Sequence, residues 1–60
     1  MRILNIEIIN DDDTVEHWRI DHMAPDYNDV MRKRKNVWEV IGSYESIGKA
    51  LLHVVTGKKS

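Results

Sequence analysis

The chain has no cysteine and no phenylalanine, one proline and three glycines in 60 residues. Without cysteine, no disulfide can staple so small a domain and no thiolate zinc site can form. Gly42, Gly48 and Gly57 are too scattered for a phosphate-cradling loop, and there is no G-x-S-x-G nucleophile elbow. An excess of one charge is also lacking: nine basic side chains face ten acidic ones, for a net −1. No global field therefore draws the molecule to nucleic acid or to a membrane. The apolar N-terminal stretch "MRILNIEIIN" is broken by Asn5 and Glu7 and is too short for a membrane span. It also lacks the small-residue cleavage site of a signal peptide, so it is expected to be the first strand of a soluble protein.

What the chain does hold is alternation. Leu4, Ile6 and Ile8 fall on one side of a strand over about 2–10, with Ile3, Asn5, Glu7 and Ile9 on the other. "NDDDT" interrupts with residues that hydrogen-bond their own backbone in turns. Alternation resumes over 14–22, where Trp18 and Ile20 oppose Val15, His17, Arg19 and Asp21. Two such runs around a short polar turn predict an antiparallel hairpin. Pro25 breaks the pattern.

Residues 25–35 read two ways. Pro25 at a first position, early Asp26 and Asp29, and Tyr27, Val30, Met31 and Arg34 at helical spacing favour a helix and a β-β-α-β-α order. The preferred reading is a strand over 28–34 that turns tightly at Lys35-Asn36 into a β-branched strand over 36–43. The last element is an amphipathic helix over 46–56, with Ile47, Ala50, Leu51, Val54 and Val55 on its stripe. Ser46 is its expected N-cap and Gly57 its C′ residue. The expected fold is a single α+β domain over 1–60, a three- to four-stranded antiparallel meander packed by one C-terminal helix. Leu4, Ile6, Ile8, Trp18, Ile20, Val40, Leu51 and Val54 are the expected core.

The segment "VWEVIGSYESIGKALLHVV" resembles small proteins of bacteriophages and prophages that read W-x-V-I-G-x-Y, then S-[LI]-x-x-A-L. Trp38, Val40, Ile41, Gly42 and Tyr44 match the strand part, and Ser46, Ile47, Ala50 and Leu51 match the cap and helix. The hairpin before Trp38 is shorter than in that pattern, and Lys49 stands where an acidic capping-box residue belongs. The resemblance implies a sheet with a helix across one face and a mobile-element origin in a bacterial cytoplasm. It brings no catalytic residues with it.

Four classes of function bear on these residues. His17 and His22 point to opposite strand faces and His53 lies at the edge of the helical stripe, so no general base finds a partner; neither catalysis nor a cofactor is expected. Asn10 to Asp13 offer oxygen ligands, but from Asp11 the fifth loop position is Val15 and the sixth Glu16, where a calcium loop needs Gly. No metal site is therefore expected. Arg32, Lys33, Arg34 and Lys35, with Lys58 and Lys59, are the candidate nucleic-acid contacts. In a meander, however, Asp11 to Asp13 share their end of the sheet and dilute the charge.

The fourth class is protein binding. One helix leaves one sheet face uncovered, and Ile3, Ile9, Val15, Val37 and Ile41 are expected to form an apolar patch there. A chain of this length buries only roughly 60% of its unfolded surface, so a homo-oligomer would supply missing burial. Non-enzymatic binding, to a host protein or to itself, is the preferred function, with nucleic-acid binding the alternative.

Overall fold

A computed structural model describes residues 1–57. Its elements are β1 (Arg2–Ile9), β2 (Val15–Ala24), β3 (Tyr27–Arg34), β4 (Val37–Tyr44) and α1 (Ile47–Gly57). The strands form one antiparallel sheet in the order β1-β2-β3-β4, an up-and-down meander with the helix on one face. The expected α+β architecture is present. Residues 27–34 are a strand, so the reading with a helix over 25–35 is set aside.

Each turn has a local cause. Between β1 and β2, the Asn10 N–H donates to Thr14 O (2.8 Å) and the Asp13 N–H to Asn10 O (2.9 Å). Asp12 Oδ1 accepts from the Thr14 N–H (3.1 Å) and hydroxyl (2.6 Å), while Asp13 takes a left-handed φ of 66°. Asp tolerates that region better than most residues. Pro25 and Asp26 connect β2 to β3, and β2 carries on to Ala24 through a register shift after His22. Lys35 (φ 50°) and Asn36 (φ 65°) are both left-handed, as the two central residues of a type I′ hairpin turn require.

The core lies between the sheet and α1. Trp18, Ile20 and Val30 from the two central strands meet Ala50 and Val54 of the helix, and Ile6, Ile8 and Tyr44 pack partly against them. Burying each large side chain contributes roughly 1.5–3 kcal/mol. Ser46 caps the helix, its Oγ accepting from the Lys49 N–H at 3.2 Å. Gly57 is not a left-handed C′ residue; it lies within the helix with no positive φ. Its lack of a side chain serves packing instead, since a Cβ there would stand 3.2 Å from both Trp18 and His53.

Three expected core residues lie outside, the first being Leu4 on β1, 40% exposed. Val40 is 57% exposed because one extra residue in β4 shifts its phase: Val30 pairs with Gly42, but Met31 already pairs with Val40. A bulge of this kind turns the residues before it to the other face. Leu51 is 41% exposed because α1 packs on β2, β3 and β4 but not on β1.

Candidate interaction surfaces

Alternation in β2 sends Arg19 and Asp21 to the face away from α1, where they organise its centre. Arg19 Nη2 donates to Asp21 Oδ2 at 3.1 Å, while Nε lies 2.8 Å from Oδ1 as an ion-pair contact without hydrogen-bond alignment. The same guanidinium lies 2.9 Å from Met31 Sδ and 4.9 Å from the Trp38 ring centroid. Lys33 Nζ approaches that ring to 5.9 Å. Trp38 thus has two cations against it, an arrangement worth about 0.5–1 kcal/mol each at exposed sites. Towards β1, His17 Nδ1 stands 3.8 Å from Glu7 Oε1.

This polar centre divides the expected apolar patch. Ile9 pairs directly with Val15 at one end, but Ile3 pairs with Asp21 at the other. Six strand positions separate Ile3 from Ile9, about 20 Å, with Asn5 and Glu7 between them. Val37 pairs with Arg34 and so lies on the helix side of the sheet; Ile41 is the extra residue of the β4 bulge. All five are exposed, yet they do not form one surface.

The basic segment divides in the same way. Arg32 lies on the helix side, 3.4 Å from buried Glu16 and 5.3 Å from the Trp18 ring centroid, and Trp18 Nε1 donates to the same Glu16 oxygen at 3.2 Å. Lys33 is on the opposite face against Trp38, Arg34 returns to the helix side, and Lys35 is in the turn. Strand alternation scatters the four cations, so they present no common basic face. Lys58 and Lys59 lie outside the described residues.

The histidines are held structurally. Fully buried Asn28 donates from Nδ2 to Tyr44 O (3.2 Å), which leaves its Oδ1 to accept from His22 Nδ1 at 2.5 Å. His53 Nδ1 is 2.5 Å from the Tyr44 hydroxyl, and its ring meets Trp18 and Tyr44 edge-on. Gly42 leaves room for this pair, since a Cβ there would lie 3.1 Å from Tyr44 and 3.2 Å from His53. Among the described residues, no three His, Asp or Glu side chains converge on a metal-sized site, and no helix is long and apolar enough to cross a membrane.

The edge strand β1 carries apolar residues on both sides of the sheet. On its helix face it carries Leu4, Ile6 and Ile8, and on the other Ile3 and Ile9. At 100° per residue, His53 and Gly57 flank the Ala50–Val54 line on the Tyr44 side, and Ile47, Leu51 and Val55 flank it on the other. Ile47 shares a groove with Arg2, Leu4 and His22, which fixes that second flank as the one towards β1. Leu51 and Val55 are exposed along it. Leu4 belongs to this surface and not to the expected core; of the expected patch, Ile3 and Ile9 lie on the same strand. The signal for it in the sequence is that β1 carries apolar residues on both faces.

The chain matches no known protein family, no curated protein and no solved structure.

Proposed function

We propose that this protein is a non-enzymatic interaction module that binds a protein partner, a host protein or a second copy, along β1. The observation that carries the reading is an unpaired edge strand with Leu4, Ile6 and Ile8 on its helix face and Ile3 and Ile9 at the two ends of the other, beside the exposed flank of α1. Extended peptides add to such edges through main-chain hydrogen bonds, with alternate side chains giving specificity. The resemblance to small bacteriophage proteins supports the same reading and suggests a bacterial cytoplasm as its setting. Scattering of Arg32 to Lys35 over two faces and a turn weighs against nucleic acid, which is best held by a continuous basic surface.

The test is affinity capture from bacterial lysate with and without nuclease, alongside the Ile3→Lys, Ile9→Lys double variant. Both residues are exposed, so the variant is expected to keep its fold by circular dichroism. The expected result is nuclease-resistant capture of a discrete protein, or of the untagged chain itself, abolished in the variant. Nuclease-sensitive capture, or capture indifferent to the substitutions, would overturn the reading.

A further inference from the structure

We infer that the occupant of the β1 edge is a second copy of the chain, joined β1 to β1 about a two-fold axis through Ile6. This inference rests on the interaction reading above and gives it a partner and a register. Natural sheets blunt their edges with bulges, prolines, lysines or short strands. β1 has no bulge, Pro, Gly or Lys and pairs with β2 without a break from Arg2↔His22 to Ile9↔Val15; its charges are Arg2 at the end of the strand and the single carboxylate of Glu7. The other edge, β4, has both a bulge and Gly42.

Self-pairing is selective about register. In a two-fold antiparallel pair, residues directly opposite share a face, so only odd meets odd and even meets even. With Ile6 on the axis, Ile6 meets Ile6 of the partner subunit and Leu4 meets Ile8 of the partner subunit, all apolar and all on the helix face. On the other face Ile3 meets the partner's Ile9, and Asn5 meets the partner's Glu7. Apolar residues face apolar ones throughout, and the one carboxylate faces an amide. Centring the pair on Asn5 would set Ile3 against Glu7 and Arg2 against Ile8. Centring it on Glu7 would place two carboxylates together and set Asn5 against Ile9. Only the Ile6 register is free of such conflicts. It extends the sheet to both copies, with Leu4, Ile6 and Ile8 of each forming an apolar floor flanked by Leu51 and Val55.

The absence of cysteine makes the test clean. Directly opposed strand residues have Cα atoms about 4.5–5.5 Å apart, within the range a disulfide spans. Ile6→Cys should therefore cross-link to itself under mild oxidation. Ile8→Cys alone should not, but an equimolar mixture of Leu4→Cys and Ile8→Cys should. A second pair of variants at exposed Asn5 probes the register without touching the core. Asn5→Glu opposes the partner's Glu7 twice per dimer and should weaken association on the order of ten-fold by analytical ultracentrifugation, and Asn5→Lys should tighten it comparably. Within one chain Asn5 pairs with Arg19, so effects on the fold alone would run the opposite way.

Cross-linking at Ile6 with opposite shifts for the Asn5 variants is the expected result. A dimer that cross-links elsewhere overturns the β1 register while leaving the interaction reading intact. A monomer at all concentrations overturns self-pairing, and the lysate capture then judges the broader reading separately.

Discussion

The two edges of this sheet are built differently. β4 is tied down from every side: Trp38 lies between Arg19 and Lys33, Tyr44 bonds His53, Asn28 donates to the Tyr44 carbonyl, and α1 packs on the strand. Its bulge and Gly42 interrupt the regular ladder that another chain would need. β1 has pairing with β2 and partial burial of Ile6 and Ile8, and no helix above it. One edge is finished by interactions within the chain; the other is left regular, apolar and open. The difference teaches that the helix divides the sheet into a self-sufficient part and a part that gains from company.

Substitutions should separate these parts. The largest effect is expected in the covered region. Trp18→Ala removes the largest buried side chain, at a cost of about 3–5 kcal/mol. In so small a domain that should abolish a cooperative thermal transition followed by circular dichroism. On the uncovered edge, Ile8→Val should lower stability by only about 0.5–1.5 kcal/mol, because it removes a single methyl group from a side chain only partly packed against the core. Equal losses at the two sites would break the comparison.

The smallest effect is expected where β4 runs into α1. Lys49 pairs with Glu45 and holds its carboxyl below the usual range by hydrogen bonding and by charge, with desolvation opposing weakly. A carboxyl lowered in the folded state stabilises at pH values above its unfolded pKa, and that contribution disappears as pH falls through the folded value. Glu45 is fully exposed and the pair is surface-screened. Glu45→Gln should therefore differ slightly from the parent at neutral pH in melting temperature and coincide with it in strong acid. A difference that grows on acidification would contradict the assignment.

Much of the fold was legible because the signals were local. Alternation around "NDDDT" gave the first hairpin, and Ser46 with the stripe from Ala50 to Val54 gave the helix. The Lys35-Asn36 turn followed from the runs on either side of it. What was not legible depended on phase and placement. In "NVWEVIG" apolar residues fall at both odd and even positions before Gly42, so nothing in it marks the extra residue that turns Val40 outward. The helix stripe shows which residues face the sheet but not which strands lie beneath them, so Leu51 was assigned to the core. The basic run illustrates the same limit. Arg32 to Lys35 form a block in sequence, and a strand necessarily distributes such a block over two faces. For the candidate surface, Ile3, Ile9 and Val15 were placed on the face away from the helix, while the full apolar extent of β1 depended on the lateral position of α1.

The most direct measurement is amide hydrogen exchange at the two edges as a function of protein concentration. Every second N–H along each edge strand points away from the sheet. If β1 is the interaction edge and pairs with itself, the outward amides between Ile3 and Ile9 should gain protection as concentration rises. Those of β4 should exchange at an unchanged rate. Outward β1 amides that exchange as fast as those of β4 at every concentration, or protection gained along β4 instead, would contradict the account.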